Sequence, residues 1–207
     1  MTEKEKMLHQ KLYDANYDQE LLQERLRAKD LCHRYNQLLP SDVEEQETLI
    51  QQLLGRTGKR CSVMAPFWCD YGYRISVGNG FFANHNMVIL DAGGVTFGDD
   101  VFIGPNCGFY TSGHPVDYER RDQGLEYAYP ITVGDHVWIG GGVQVMPGVT
   151  IGSNVVIGSG SVVTRDIPDD VVAAGNPCRV IRPISERDHT TNFDRDAVAP
   201  SSNQNDK

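Results

Sequence analysis

The sequence has 207 residues, of which 40% are hydrophobic, 9% aromatic and 23% charged, and its formal net charge is −9. This length suits one globular domain with a substantial core, and no run approaches the roughly 20 apolar residues that a membrane-spanning helix needs. The acidic balance argues against nonspecific nucleic-acid binding, which depends on neutralising phosphates with Lys and Arg. The five cysteines form no CxxC pair and the charged N-terminus has no apolar signal segment, so a reduced, cytoplasmic protein without disulfides or zinc is expected.

The first 54 residues contain no glycine and are rich in residues that favour helices. Apolar and basic side chains recur there at helical spacing: Leu21, Leu22, Arg25, Leu26 and Lys29. A helix start is predicted at Ser41–Glu44, which matches a capping box, after Pro40 ends the preceding segment. We therefore predict two or three amphipathic helices within residues 1–57, packed on the segment that follows.

A period of six dominates residues 58–184. Six aliphatic residues stand six apart without interruption, and a glycine directly follows four of them: Val133, Ile139, Val145, Ile151, Ile157 and Val163. An earlier run has the same period and slips by two residues around Ala92–Gly94, which we interpret as an inserted turn: Val77, Ala83, Ile89, Phe97, Ile103 and Phe109. A three-sided parallel β-coil of roughly 18 residues per turn has this period, whereas helices and hairpins do not. The fold is therefore predicted to be a β-helix whose period-six side chains point inward and stack.

Ordered motifs along the chain resemble those of hexapeptide-repeat O-acetyltransferases, within them the maltose and galactoside acetyltransferase family. These motifs are Leu12–Ala15, Phe81–Asn84, Thr111–Pro115, Pro130–Gly134, Val137–Gly140 and Gly175–Ile181. The resemblance covers nearly the whole chain up to about residue 185. It implies a left-handed β-helix, a homotrimer with active sites between subunits, and acetyl transfer from acetyl-CoA to a sugar hydroxyl without a metal.

The repeat is interrupted once, by a loop at residues 111–130 that contains His114. A histidine that titrates near neutrality suits the deprotonation of a sugar hydroxyl as it attacks a thioester. The resemblance implies this catalytic role for His114. It also implies that Asn84 hydrogen-bonds the reacting carbonyl, where a neutral donor stabilises the oxyanion. Taken without the resemblance, His114 is also consistent with an exposed loop residue, and Asn84 with a turn residue.

The resemblance further implies which residues bind the two substrates. Acetyl-CoA is expected to contact small, aromatic and basic residues, with the arginines meeting its phosphates: Asn84, Trp138, Gly141, Ser159, Thr164, Arg165, Arg179 and Arg182. The acceptor is expected to contact four acidic residues, whose carboxylates accept hydrogen bonds from vicinal hydroxyls: Asp14, Asp70, Asp91 and Glu126. Trp138 could equally be a packing residue, and Glu126 could instead pair with His114 or be solvated.

The pattern is closer to the maltose branch than to the galactoside branch. The galactoside branch tends to have serine where this chain has Asp70, and an acid where it has Ala92. A maltose- or glucose-like acceptor is therefore expected. Other hydroxyl acceptors, such as a streptogramin-type antibiotic or serine, remain open, as does a noncatalytic scaffold.

Two further points concern zinc and the C-terminus. A zinc carbonic anhydrase shares this coil, but the HxxxxH spacing of that class is absent among His85, His114 and His136. Residues 185–207 are polar and are expected to form a disordered tail.

Overall fold

The computed structural model describes residues 1–190, and its N-terminal part is helical as predicted. It contains α1 (Glu3–Leu8), β1 (Tyr13–Asp14), α2 (Gln19–Asn36) and α3 (Val43–Leu53). The first two helices begin at side-chain caps, since Thr2 accepts from the Glu5 amide and Asp18 from the Leu21 amide. Such caps satisfy amide groups that the first turn leaves without helical partners.

The predicted capping box at Ser41–Glu44 is wrong in detail. The N-cap of α3 is Asp42, and no side chain caps this end. A turn in which the Asp42 amide donates to the Leu39 carbonyl (3.0 Å) leaves Ser41 one residue outside the helix. The Gln46 side chain then reaches back to the same carbonyl at 2.7 Å.

Short strands build a left-handed β-helix with three parallel walls. The four-stranded wall contains β4 (Ile75–Ser76), β7 (Val95–Phe97), β12 (Ile131–Val133) and β15 (Thr150–Ile151). The five-stranded wall contains β3 (Phe67–Cys69), β6 (Met87–Leu90), β9 (Gly108–Tyr110), β14 (Gln144–Val145) and β17 (Val162–Val163). The seven-stranded wall contains β2 (Ser62–Val63), β5 (Phe82–Ala83), β8 (Phe102–Ile103), β13 (Trp138–Ile139), β16 (Val156–Ile157), β18 (Val171–Ala174) and the antiparallel β19 (Arg179–Pro183).

The interior of the coil is the core that the period predicts. All twelve period-six residues are at most 2% exposed. A second inward row, two residues earlier in each hexapeptide, is also buried and includes Val137, Val143, Val149 and Val155. Three aromatic rings fill the early coils: the ring centroid of Phe97 lies 5.0 Å from those of Phe81 and Phe109, in a tilted and an edge-to-face arrangement respectively.

The predicted inserted turn is confirmed. Val88 pairs with Gly108, twenty residues later, whereas Thr132 pairs with Thr150, eighteen residues later. The early coils therefore hold two extra residues per turn, and part of this length forms the turn in which the Gly94 amide donates to the Asp91 carbonyl at 2.9 Å. Gly94 has a φ of +88°, which a glycine adopts without steric cost.

Helix α2 packs on the first coil through specific contacts. The Asn36 side chain both donates to the Phe67 carbonyl (3.0 Å) and accepts from the Phe67 amide (2.8 Å), and the buried Tyr35 hydroxyl donates to the Val63 carbonyl. These bonds fix the rotation of α2 and therefore which of its side chains face the coil.

The remaining elements are β10 (Ser112–Gly113), α4 (Tyr118–Asp122), β11 (Leu125–Ala128) and α5 (Glu186–Thr190). Within residues 1–190, no helix is long and apolar enough to cross a membrane. The disordered tail is predicted over residues 185–207; within it the structure has the short helix α5, and residues 191–207 lie outside the described residues.

The aromatic core gives a stability prediction. Phe97→Ala should lower the free energy of unfolding by about 3–5 kcal/mol, because it leaves a cavity between two rings that cannot close. Thr96→Ala is the matched control, since Thr96 is exposed on the same strand, and it should change the free energy by less than about 1 kcal/mol. Urea unfolding of both variants measures the difference, and similar costs for the two would contradict the assigned core.

Candidate active site

The interrupting loop is held between the coil and the N-terminal segment. It leaves the five-stranded wall after β9 and rejoins the four-stranded wall at β12. Its strands β10 and β11 pair antiparallel, and β1 pairs with the other edge of β11, with Tyr13 opposite Glu126. Residues more than a hundred positions apart therefore share one small sheet.

His114 follows β10 and has a defined orientation. Its Nδ1 lies 3.0 Å from the Leu125 carbonyl oxygen. Because a carbonyl oxygen can only accept, Nδ1 carries the hydrogen and the neutral ring has its lone pair on Nε2. Nε2 lies 3.8 Å from Oε1 of Glu126, which is within ion-pair distance once the ring takes up a proton.

The Glu126 carboxylate bridges His114 and Tyr13. Its second oxygen, Oε2, accepts a hydrogen bond from the Tyr13 hydroxyl at 3.1 Å. Burial raises the pKa of Glu126 above its ordinary value, while the Tyr13 hydrogen bond and the nearby His114 and Arg25 lower it. The geometry therefore agrees with the alternative in which Glu126 pairs with His114.

These groups line a cavity of about 310 Å³ at the corner between the five-stranded and four-stranded walls. Its lining is mostly polar and comes from β1, α2, the first coils and the loop: Tyr13, Asn16, Arg25, Lys29, Asp70, Tyr71, Leu90, Ala92, Ser112, Gly113, His114 and Glu126. Two of the four predicted acceptor residues, Asp70 and Glu126, thus lie in one cavity with His114.

Helix α2 supplies two cations to this cavity. Arg25 and Lys29 are four residues apart, so they lie on the same face of the helix. Arg25 donates to the Tyr71 hydroxyl at 2.7 Å and to the Ala15 carbonyl. Burial raises the pKa of Asp70, and the charges of Arg25 and Lys29 partly offset this rise.

Asp91 lies beneath the cavity and does not line it. It is fully buried, and its Oδ1 accepts from the amides of Asp70 (3.0 Å) and Tyr71 (2.8 Å). Its Oδ2 has no hydrogen-bond partner within residues 1–190. Burial raises the pKa of Asp91 to about 6. Through its two hydrogen bonds, the Asp91 carboxylate holds the backbone of Asp70 and Tyr71 in place.

Asp14 is also absent from the described lining of the cavity. Its Oδ1 accepts from the amides of Asn16 and Tyr17, both at 3.0 Å, which forms a turn after β1. This turn directs Asn16 to the cavity, where its side-chain amide donates to the Gly124 carbonyl at 3.0 Å. Asn16 therefore lines the cavity, and the predicted acceptor contact of Asp14 stays a prediction.

Asn84 lies away from His114 within one chain. It follows β5 at the corner between the seven-stranded and five-stranded walls, whereas the loop leaves the opposite edge of the five-stranded wall. Its Oδ1 accepts from the amide of His85 at 2.7 Å. Gly141 and Ser159 lie at the same corner as Asn84, in later coils.

The other predicted donor-binding residues are distributed along the coil. Trp138 projects from the seven-stranded wall, 58% exposed, beside Phe102, which is 50% exposed. Thr164 and Arg165 follow β17 at the same corner as the His114 cavity, further along the stack. Arg179 and Arg182 begin and nearly end β19. Arg182 makes a bidentate pair with Asp188, with both N–O distances at 2.7 Å.

Sequence reasoning missed part of the cavity. Tyr13 and Ser112 lie inside quoted motifs but were not singled out, and Asn16 and Tyr71 were given no role. Arg25 and Lys29 were noted only as a helical pattern. Their i, i+4 spacing was the available signal, because it places both cations on one face of α2.

Comparisons with known proteins agree with this architecture. A family model described as the maltose acetyltransferase hexapeptide capping motif matches residues 6–58, and a bacterial transferase hexapeptide model (six repeats) matches residues 130–165. The structure of a maltose O-acetyltransferase from Clostridium difficile 630 is 51% identical, covers 90% of this chain and 99% of its own, and has a TM-score of 0.88. The chain belongs to the hexapeptide-repeat acetyltransferases of the maltose branch.

Two further members of this family have solved structures with coenzyme A ligands. A galactoside acetyltransferase in complex with coenzyme A is 45% identical, covers 94% of this chain and 97% of its own, and has a TM-score of 0.90. The Vibrio cholerae hexapeptide-repeat acetyltransferase VCA0836, complexed with acetyl-CoA, is 39% identical, covers 90% of this chain and all of its own, and has a TM-score of 0.83. The part of this chain that the structure describes has no group of three His, Cys, Asp or Glu residues arranged to hold a metal ion.

Burial of Asp91 predicts how the stability of this acetyltransferase depends on pH. Its folded-state pKa of about 6 lies above the ~3.9 of an unfolded aspartate. The folded protein therefore binds this proton more tightly, so the stability that it confers is complete below about pH 4 and is lost as pH rises through about 6. Asp91→Asn should reduce the fall in unfolding free energy between pH 4 and 7 by about 2–3 kcal/mol.

Urea unfolding at several pH values measures this change. Asp30→Asn is the matched control, because Asp30 is exposed on α2, and it should keep the wild-type pH dependence. An Asp91→Asn profile parallel to that of the wild type would show that Asp91 does not titrate as described.

Proposed function

We propose that this acetyltransferase transfers the acetyl group of acetyl-CoA to a hydroxyl of a maltose- or glucose-like sugar by direct attack. The observation that carries the proposal is the arrangement of His114, with Nδ1 bonded to the Leu125 carbonyl and Nε2 beside Glu126 in a polar cavity. The proposed reaction requires no disulfide, and the cysteines are free in the described residues. Both points fit a reduced, cytoplasmic protein.

The His114 geometry supports general-base catalysis. With the hydrogen held on Nδ1, Nε2 can take the proton of an acceptor hydroxyl as its oxygen attacks the thioester carbonyl. The Glu126 carboxylate then stabilises the imidazolium that forms, since it lies 3.8 Å from Nε2. The same proton can pass to the departing thiolate of coenzyme A, so that no residue needs to form a covalent intermediate.

The composition of the cavity supports a polyhydroxylated acceptor. Ligand pockets of this size are usually lined mainly by apolar side chains. This one instead presents two carboxylates, two cations, an amide and hydroxyl groups. Such groups hydrogen-bond sugar hydroxyls well, whereas the large apolar surface of a streptogramin-type antibiotic would find few matching side chains. A noncatalytic scaffold has no need for an oriented histidine–carboxylate pair.

Relatives that bind coenzyme A support acetyl-CoA as the donor, since their structures contain coenzyme A and acetyl-CoA. In this chain, Arg179 and Arg182 provide positive charge at the end of the coil for the nucleotide phosphates. Arg182 would have to exchange its Asp188 partner for phosphate, and both ligands fit the same bidentate geometry. Gly141 and Ser159 are small residues, so an extended pantetheine arm could lie close to the backbone there.

The positions of His114 and Asn84 support a homotrimer with shared sites. The two residues lie at opposite edges of the five-stranded wall. A cyclic assembly of three prisms brings one edge of each subunit against the other edge of its neighbour. In the proposed trimer, the Asn84 amide of one subunit therefore faces the His114 cavity of the next and stabilises the oxyanion.

The first test is His114→Ala assayed with acetyl-CoA and a panel of acceptors: maltose, glucose, galactosides, serine and a streptogramin. The wild type should acetylate maltose or glucose best, and the variant should fold normally but lose at least ~10²-fold in turnover, the scale of a lost general base. His33→Ala, an exposed histidine on α2, should retain wild-type turnover. Comparable turnover in His114→Ala would remove His114 from the mechanism, and preference for another acceptor would overturn the sugar assignment.

Subunit mixing tests the shared site. His114→Ala and Asn84→Ala trimers should each be nearly inactive. After unfolding together and refolding at equal amounts, random cyclic trimers should regain about a quarter of wild-type activity, because one site in four then pairs an intact His114 with an intact Asn84 from its neighbour. The control is Asn84→Ala alone, unfolded and refolded in the same way, which should stay nearly inactive. No recovery, with mixed trimers verified by mass spectrometry, would show that each subunit completes its own site.

A further inference from the structure

We infer that Tyr13 is a positioning residue of the catalytic pair, whose buried hydroxyl holds the Glu126 carboxylate facing His114. The inference rests on the proposed function of His114 and extends it to the N-terminal segment. The catalytic step proposed for His114 does not itself invoke Tyr13, so the inference stands on the contacts of Tyr13.

Within residues 1–190, the recorded hydrogen-bond partner of the Tyr13 hydroxyl is the Glu126 carboxylate. Tyr13 is 1% exposed and stands directly opposite Glu126 in the β1–β11 pair, so both side chains project from the same face of the small sheet. Its hydroxyl lies 3.1 Å from Oε2, while Oε1 of the same carboxylate lies 3.8 Å from Nε2 of His114. One carboxylate therefore connects a buried phenol to the proposed base.

The surrounding charges agree with a donor role for Tyr13. The titratable and charged groups around Glu126 include Tyr13, Tyr71, His114, Arg25 and Asp70, and Tyr71 and Arg25 also lie near Tyr13. Burial raises the pKa of Tyr13 well above its ordinary value, so the hydroxyl keeps its proton and donates. Among the groups that favour the ionised form of Glu126, the Tyr13 hydrogen bond has the largest effect, ahead of His114 and Arg25.

The N-terminal segment holds Tyr13 in this place. The Glu3 carboxylate of α1 accepts from the amide of Asp14 at 2.6 Å, and β1 pairs with β11 on its other side. A tyrosine at this position thus couples the first helix to the catalytic loop. The role of α1 and β1 is therefore to complete the active site as well as to cover the coil.

Removal of the Tyr13 hydroxyl should raise the pKa of Glu126. Without the donor, the buried Glu126 carboxylate is harder to ionise, and its titration midpoint rises. The Glu126 carboxyl must be ionised to stabilise the imidazolium of His114. If its pKa rises, the ionised form is present only at higher pH, so the fall of kcat/KM on the acidic side of the pH profile moves to higher pH. Because Tyr13 is buried and acts on His114 through Glu126, kcat should fall by more than KM changes.

The test compares Tyr13→Phe with wild type in the full-length protein. In the substrate-free protein, carbon-13 NMR of the Glu126 side-chain carboxyl, assigned with Glu126→Gln, should give a midpoint higher by roughly one pH unit in Tyr13→Phe. With acetyl-CoA and the preferred sugar, kcat should fall roughly three- to tenfold. Tyr35→Phe is the matched control, because it removes an equally buried hydroxyl bonded to Val63 in the coil core, and it should alter neither quantity.

A double variant separates positioning from simple destabilisation. In the Glu126→Gln background, Tyr13→Phe should have little further effect on kcat, because the carboxylate that it positions is already absent. A wild-type midpoint in Tyr13→Phe, or an equal fall in kcat in both backgrounds, would overturn the inference. The NMR titration needs no turnover, so an inactive wild type with a shifted Tyr13→Phe midpoint would refute the proposed function and leave the Tyr13–Glu126 contact intact.

Discussion

The structure depends on the register with which inward side chains stack from one coil to the next. Each wall pairs a strand with its counterpart one coil away, and the buried period-six residues fall directly above one another. This register survives the interruption by the loop, since Val95 pairs with Ile131 and Gly108 with Gln144 across it. An insertion at a corner therefore costs the core little, and a corner is where a catalytic loop can be added to a rigid stack.

The stack alone does not make the proposed site. The His114 loop contributes a histidine and a glutamate, but β1 and α2 close the cavity around them with Tyr13, Arg25 and Lys29. The first coils contribute Asp70 through a turn that the buried Asp91 carboxylate holds in place. The buried acid with the raised pKa thus lies directly behind two residues that line the cavity, and such perturbed pKa values cluster at functional sites in proteins. One polar cavity is consequently lined by residues of the N-terminal segment, the first coils and the loop.

The sequence predicted those features that depend on local period, and it predicted less well those that depend on long-range contact. Period-six spacing identified one inward row of the coil, because each hexapeptide repeats one conformation, but it did not identify the second buried row that includes Val137 and Val143. The breaks in that period located His114 and the turn at Ala92–Gly94. The presence of Asn16 in the cavity lining could not be read from spacing, since it follows from a turn whose geometry depends on pairing between β1 and β11. The same pairing, across more than a hundred residues, placed Tyr13 against Glu126.

The distribution of the predicted site residues around the prism bears on why such a coil would assemble. His114, Asp70 and Arg165 lie at one edge of the five-stranded wall, and Asn84, Gly141 and Ser159 lie at its other edge. A monomer would leave both half-sites open to water, which weakens an ion pair and a developing oxyanion alike. Opposite edges of a convex prism can meet only between subunits, and a closed ring is the arrangement that joins every such pair without a remainder. The proposed trimer is one such ring, in which the proposed His114 and Asn84 half-sites would meet.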